Sequence, residues 1–354
     1  MYQESIKNIS KIIGNDFKYN RALFAISSLG LGHATRTLAV IDYYTELGFS
    51  ITIISYGNAL SFLKKELQEN TNITFIELED YPAIERGTGV KFYGYLVTDL
   101  LAIDILIGKE YKFVKNMGDN FDFIFSDGKY GVYSKNVPSF LLTHQIAFIL
   151  PKKLVVFSDI INYFNYRYFK KFSAIIIPDY KDKKKSLAGK LSHTKFLKDL
   201  NHHYIGPLTS YSNLKEVTQD IDYYFIISGY LQEHKQSFIN KLIDEAKKLD
   251  GKKVFVLGDT SKNDVIEMPE YDIIIYSNVS SNQRLDFFNR AKIIISRAGY
   301  TTIMDLVANN KKAVLFPTKN QTEQEYLADY LGEKGFFVNG GENDFDLKKL
   351  ISKI

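Results

Sequence analysis

The sequence predicts an α/β protein built as two successive doubly wound, Rossmann-like domains. Three observations carry that expectation. Short unbroken runs of apolar, β-branched residues recur, with the length of strands buried on both faces. Each run stops at a polar or glycine-containing loop, and apolar residues at helical spacing follow. The alternation occurs twice, on either side of a polar stretch over 209–220, in a chain of 354 residues that is long for one domain and ample for two. Such alternation implies parallel sheets with right-handed crossovers, whose ligands bind beyond the carboxyl ends of the strands.

Taken in order, residues 1–20 are a polar extension with scattered isoleucines. The N-terminal domain, 21–208, opens with a strand at Ala22–Ile26 that runs into Ser27-Ser28-Leu29-Gly30-Leu31-Gly32-His33 and a helix through Leu38 and Ile41. Strands at Ile51–Ser55 and Ile73–Ile76 follow, then a long helix from Phe92 to about Met117. Further strands are expected at Phe121–Phe125, ending in Ser126-Asp127-Gly128, and at Ser139–Leu142, ending in Thr143-His144-Gln145. After Ala174–Ile177, the lysine-rich segment Pro178–His203 reads as loop, and Tyr204-Ile205-Gly206-Pro207 as a last short strand and stop. The linker, 209–220, leads to a C-terminal domain, 221–354, with strands at Tyr224–Ile227, Val254–Leu257, Ile273–Tyr276, Ile293–Ile295 and Ala313–Phe316. Beyond Ile295 the chain breaks at Ser296, turns at Gly299, and restarts as a helix capped by Thr301 or Thr302. Two halves with polar rims imply a cleft between them, a favoured place for a small ligand.

Composition narrows the function. A formal net charge of +4 over this length does not argue for nucleic acid. The absence of cysteine excludes disulfides and thiolate metal sites and fits an intracellular protein. No apolar stretch is long enough to cross a bilayer, and the N-terminus lacks a signal-peptide core, so a cytoplasmic location is expected. The segment Ile146–Lys171 mixes bulky apolar groups with lysines. It is either a core helix with solvated lysines or a patch for the inner face of a membrane.

The polar rim residues are the candidates for chemistry. Gly30 and Gly32 let the backbone approach a ligand, and His33 at the helix mouth can act as a general base, bind a phosphate, or merely cap. The loop lacks the third glycine of a dinucleotide fingerprint. Asp127 is either a cap or an acid presented to the cleft. No histidine pair has zinc-site spacing, so no metal is expected.

The motifs Gly30-Leu31-Gly32-His33-Ala34-Thr35-Arg36, Ser296-Arg297-Ala298-Gly299-Tyr300-Thr301-Thr302 and Gln321-Thr322-Glu323-Gln324-Glu325 together resemble glycosyltransferases of the family 28 type. That group contains the N-acetylglucosaminyltransferase that completes the peptidoglycan lipid precursor. Ser126-Asp127-Gly128-Lys129-Tyr130-Gly131, Leu142-Thr143-His144-Gln145, Leu187-Ala188-Gly189-Lys190-Leu191-Ser192-His193 and Tyr204-Ile205-Gly206-Pro207 are similar to a poorly characterised microbial subgroup. The resemblance runs from about residue 21 to 340 and implies the GT-B fold, with acceptor on the first domain and nucleotide sugar on the second.

It further implies metal-independent, inverting transfer of a sugar such as N-acetylglucosamine, from a uridine diphosphate donor to a lipid-linked or cell-envelope glycan acceptor, with no cofactor. By position, Gly299, Tyr300, Thr301 and Thr302 would surround the diphosphate, with Arg297 and Ala298 leading into them. Asp305 would take the ribose, where relatives carry the longer glutamate. Gln324 and Glu325 would hold the sugar, with Gln321 also on the donor side, and Asn278 and Val279 the base. Gly229 is what remains of a glycine-rich phosphate loop. His33 would be the catalytic base or a phosphate ligand, with Asp127 its competitor, and His144 and Gln145 would face the acceptor. A nucleotide-sugar epimerase of the same fold and a non-catalytic nucleotide-sugar-binding subunit are the alternatives.

Overall fold

A computed structural model describes residues 4–81, 90–150, 158–209, 211, 217–227, 232–259, 262–341 and 345–354. The chain divides into two units, Met1–Ser210 and Tyr211–Ile354.

The first unit runs α1 (Glu4–Ile13), β1 (Arg21–Ile26), α2 (Leu31–Glu46), β2 (Ser50–Ser55), α3 (Gly57–Glu66), β3 (Ile73–Glu77), α4 (Val90–Lys115), β4 (Phe123–Asp127), β5 (Ser139–Leu142), α5 (Ser158–Phe169), β6 (Ala174–Ile177) and β7 (His202–Tyr204). Its seven strands form one parallel sheet in the order β3-β2-β1-β4-β5-β6-β7. The chain winds outward from β1 to β3 and then returns to lay β4 against the other side of β1. The carboxyl ends of β1 and β4 therefore diverge at a topological switch point, where open α/β sheets leave a crevice. Leu23, Ala25, Ile54 and Ile124 on the strands pack with Val114 of α4. The first residues are tied in as well: Ile6 and Ile9 of α1 are buried, and the Tyr43 hydroxyl on α2 donates to Ser10 Oγ.

The second unit runs β8 (Ile221–Ile226), α6 (Gln232–Ala246), β9 (Lys253–Val256), β10 (Val265–Met268), β11 (Ile273–Tyr276), α7 (Ser281–Arg290), β12 (Ala291–Arg297), α8 (Tyr300–Ala308), β13 (Lys312–Phe316), α9 (Thr322–Glu333), β14 (Val338–Asn339) and α10 (Leu347–Ile351). Its sheet order is β10-β11-β9-β8-β12-β13-β14, parallel except for the edge strand β10. The switch point here lies between β8 and β12. Phe225 of β8 stacks on Phe255 of β9 with centroids 3.9 Å apart, and both pack with Ile295, Phe316 and Phe238 in one core. Each such buried aromatic contributes about 1.5–3 kcal/mol of transfer free energy.

Several expected boundaries move. The strand expected at Phe121–Phe125 is β4, which starts later and ends on Asp127 itself; the strand expected at Ile293–Ile295 extends through Arg297. The last strand of the first unit is His202–Tyr204, ending where the expected strand and stop, Tyr204-Ile205-Gly206-Pro207, begins. α8 begins at Tyr300 with Gly299 at the N-cap, so Thr301 and Thr302 lie inside the helix and do not cap it. β10 and β14 were not expected: β10 carries Glu267 and exposed flanks, and β14 is two residues long. The segment expected to be plain loop after Ile177 is partly built around a buried carboxylate, Asp179.

Candidate active site

The site of the first unit grows from the β1/β4 switch point. Gly30, at φ 89° and ψ 158°, stands at the N-cap of α2 in backbone geometry that disfavours a side chain. Two residues into the helix comes His33, and one turn later Arg36 and Thr37 lie on the same side of α2. β4 is in register with β1 so that Asp127 pairs with Ile26, and the Ser27 N–H donates to the Asp127 carbonyl at 2.9 Å.

The Asp127 side chain is fully buried and every bond it makes is to α2. His33 Nδ1 lies 2.7 Å from Oδ1. Arg36 Nε donates to Oδ2 at 2.7 Å, Arg36 Nη2 donates to Oδ1, and the Thr37 hydroxyl donates to Oδ2 at 2.7 Å. Burial alone would raise the carboxyl pKa, but the Arg36 and His33 charges and hydrogen bonds hold it well below the usual carboxylate range. Asp127 is thus an ionised, immobilised acceptor that orients the imidazole. Only His33 of the two reaches solvent, its side chain 26% exposed against 0% for Asp127. The two residues that the sequence sets up as rivals are one pair.

Gly128 packs against the pair. Its φ is +79°, and a Cβ there would lie 3.1 Å from both His33 Cε1 and Ser27 Cβ. Gly128→Ala is expected to cost about 1–3 kcal/mol in backbone strain and to displace the His33 ring. A lowered urea midpoint together with lost activity checks this; an unchanged midpoint would contradict it.

Beneath the loop lies a second buried cluster that sequence reading missed. Lys129 is fully buried; its Nζ donates to Glu110 Oε1 at 3.0 Å and to Asp80 Oδ1 at 3.3 Å. Asp80 Oδ2 accepts from the Ser27 hydroxyl at 3.1 Å and from the Ser28 N–H. Burial raises the Asp80 carboxyl, yet Lys129 and the backbone donors bring it below its usual value; for Glu110 burial prevails and its pKa is raised. The Tyr81 hydroxyl donates to Glu110 Oε2 and accepts from the Tyr130 N–H. The glycine loop, α4 and the Lys129–Gly131 turn are therefore tied together below His33. The only sequence signal was a lysine lodged between Gly128 and Tyr130 after a buried strand.

At the end of β5, Leu142 is in register with Asp127, so Thr143, His144 and Gln145 stand on the same rim. The Gln145 N–H donates to Thr143 Oγ1, and His144 is buried.

In the second unit the candidates fall on the carboxyl rim of β11, β12 and β13. Arg297 ends β12, but its guanidinium lies over the Phe238 ring, 3.4 Å from the centroid, and donates to the Pro317 carbonyl at 2.9 Å. It organises the rim rather than standing clear of it. The Ala298 N–H extends the sheet by donating to the Phe316 carbonyl. The first helical bond of α8 runs from Ile303 N–H to the Gly299 carbonyl, so residues 300–302 form the positive end of the helix, with no side-chain cap. Gly299 has φ −76° and ψ 137°, open to any residue, and a Cβ there would meet no atom of the described residues within 4 Å. Neither its backbone nor the packing of the described residues demands glycine at this position.

Tyr300 and Asp305 are buried, Thr301 and Thr302 half-buried, and the Asp305 carbonyl accepts from Asn309 Nδ2. In the 317–321 turn, Gln324 Oε1 accepts from the Thr318 N–H and Glu325 Oε1 from the Asn320 N–H, both at 3.0 Å, while Gln321 stands at the N-cap of α9. Asn278 and Val279 lie between Ser277, which follows β11, and the Ser280 cap of α7. Gly229 lies outside the described residues. Among the described residues no group of acids and histidines is arranged to hold a metal ion.

Residues 234–354 match the glycosyltransferase family 28 C-terminal domain. An uncharacterized glycosyltransferase of Methanosarcina acetivorans is 24% identical over 334 residues, covering 89% of this chain and 82% of that protein. One from Methanosarcina mazei is 22% identical over 348 residues, covering 89% and 84%. Among solved structures, the calicheamicin glycosyltransferase CalG4 superposes with a TM-score of 0.59 at 12% identity, over 94% of this chain and 89% of that one. The Arabidopsis thaliana protein UGT89C1 complexed with UDP gives 0.59 at 14% identity, over 94% and 88%. The fold, two Rossmann-like α/β units, is GT-B. Residues 234–354 thus carry a glycosyltransferase family 28 C-terminal domain, and the chain is a glycosyltransferase.

Proposed function

We propose that this enzyme transfers a sugar, with inversion and without a metal ion, from a uridine diphosphate sugar to a hydroxyl of a lipid-linked or glycan acceptor. The observation that carries the reading is the His33–Asp127 pair at the switch point of the first unit. His33 takes the proton of the acceptor hydroxyl as its oxygen attacks the anomeric carbon. The bond from that carbon to the diphosphate breaks, and the diphosphate leaves with the electron pair. Asp127 holds the imidazole by Nδ1 and stabilises the imidazolium that forms. A single displacement of this kind inverts the anomeric centre.

The leaving charge is met by the N-terminal end of α8 and the Gly299 backbone, a fixed positive site that needs no cation. A glycine whose missing Cβ would meet no atom of the described residues fits close approach of phosphate oxygens. Asp305 takes the ribose, Asn278 and Val279 the base, and Gln321, Gln324 and Glu325 the sugar. His144 and Gln145 face the acceptor. Gly299→Val is expected to leave the unfolding free energy from urea titration within about 1 kcal/mol of wild type and to weaken uridine diphosphate binding at least about tenfold. Unchanged affinity by calorimetry would remove Gly299 from the donor site.

A membrane-resident acceptor suits the surface of α5. Ile160, Tyr163 and Phe164 are exposed there beside exposed Arg167, Lys170 and Lys171. Residues 151–157 of that region lie outside the described residues. No described helix is long and apolar enough to cross a membrane.

A thermal-shift series with nucleoside diphosphates and their sugars tests the central reading, since a ligand bound by the folded state raises the melting temperature. Uridine diphosphate and its sugars are expected to raise it. No shift with any nucleotide would sink the proposal, and release of an epimerised free sugar without an acceptor would replace it with the epimerase reading.

A further inference from the structure

The motif Leu187-Ala188-Gly189-Lys190-Leu191-Ser192-His193 takes no part in the reaction above, yet it is among the most tightly built segments of the first unit. Asp179, two residues beyond β6, is fully buried. Its carboxylate accepts from the Ser186 and Ser192 hydroxyls at 2.6 Å each and from the Leu187 and Tyr180 N–H groups at 2.8 Å each. The loop from 179 to 192 is thereby closed into a ring on one buried charge. His193 Nε2, 3.0 Å from the Tyr180 carbonyl, and Tyr204, stacked on the imidazole, seal its base.

A lysine run that only kept the protein in solution would need no such scaffold. The ring carries Lys181, Lys183, Lys184, Lys185 and Lys190 on its outside, all exposed, with a single acid, Asp182, among them. Five lysines against one aspartate leave residues 181–190 at +4, which equals the formal net charge of the whole chain. The positive excess of the protein is concentrated on this one loop.

The location is as specific as the charge. The Gly206 N–H, beyond the end of β7, donates to the Asp179 carbonyl, and the Ile146 and Ala147 N–H groups, beyond β5, both donate to the Leu191 carbonyl. The ring therefore sits on the carboxyl rim of the sheet and braces the His144 loop. β6 is two strands from β4. At a strand spacing of about 4.8 Å, its end lies on the order of 10 Å from that of β4, where His33 and Asp127 stand.

We propose that the 179–193 ring is a binding surface for a phosphate or diphosphate group carried by the acceptor. The proposal rests on the transferase reading for the word acceptor, but its anion binding stands apart from that reading. Lysines act at such a surface as point charges whose contribution falls with added salt.

The test uses the full chain and a K181Q/K183Q/K184Q/K185Q variant, whose changes touch only exposed side chains. Inorganic pyrophosphate is titrated by calorimetry, and sedimentation is followed with phosphatidylcholine vesicles with and without phosphatidylglycerol. Anion binding elsewhere on the protein is common to both chains, so the difference between them is the readout. Wild type is expected to bind at least one probe in low salt, and the variant to lose at least about tenfold in affinity with an unchanged melting temperature. Loss against pyrophosphate assigns a discrete diphosphate site, and loss against charged vesicles alone assigns lipid headgroups. Equal binding by the two chains, or no binding of either probe by wild type, overturns the proposal. So does a single-stranded oligonucleotide that binds the loop more tightly than both. A wild type that binds these anions but no nucleotide leaves the ring standing and removes the transferase reading instead.

Discussion

His33→Gln is expected to lower turnover by about 10²–10⁴-fold while leaving the affinity for uridine diphosphate within about twofold of wild type. Glutamine keeps the volume and a polar tip but cannot take up a proton at neutral pH. The nucleotide is assigned to the second unit, so its binding should not register the change. Single-turnover rates and calorimetric titration on the same preparation separate the two quantities. Turnover retained within about threefold would remove His33 from proton transfer. A collapse of nucleotide affinity would instead make it a phosphate ligand.

Asp127→Asn should be felt in stability as well as in rate. The substitution leaves Arg36 buried without its counter-charge, and breaking a buried ion pair from one side costs about 3–5 kcal/mol. It also removes the acceptor that orients His33. Linkage gives a second signature. The folded-state pKa of Asp127 is depressed, so its contribution to stability is fully present above the unfolded value of about 3.9 and is lost as pH falls below that toward the folded value. Below about pH 4 the wild type should therefore lose stability with acid faster than Asp127→Asn, and the gap between their urea midpoints should narrow. Asp80, also depressed, contributes equally to both curves and cancels in the difference. A gap that stayed constant down to pH 2 would show that Asp127 is not held as an ion.

How far the sequence reaches is clearest at this pair. His33 and Asp127 were both visible as polar residues after strand ends, because strand, glycine loop and helix follow from local patterning. Their union was not visible: they are 94 positions apart and meet only because β4 returns to the side of β1. Arg36 stood in the motif, but which residue a buried guanidinium serves is decided by the neighbouring strand. Lys129, Glu110 and Asp80 were missed because no spacing rule links residues drawn from three separate elements. In the second unit the β12–α8 junction was legible in kind and misplaced in detail. Apolar runs mark strand cores, but the buried Ser296 and Arg297 extend the strand, and only packing on Phe238 explains why a charged residue could end it. The ring on Asp179 reads in sequence as plain loop, since its lysine content masks two serines whose partner is a buried acid.

The all-parallel first sheet has a kinetic consequence. No two of its strands can meet through a hairpin, and its central pairing, β1 with β4, joins segments about a hundred positions apart. Closure entropy over that span opposes the pairing until the intervening helices have formed and docked. During refolding, helical signal should therefore return before the histidine finds its carboxylate. The reactive pair is therefore expected to form late in refolding, and a nascent chain released before β4 has emerged would hold a helix bearing His33 with no Asp127 to aim it.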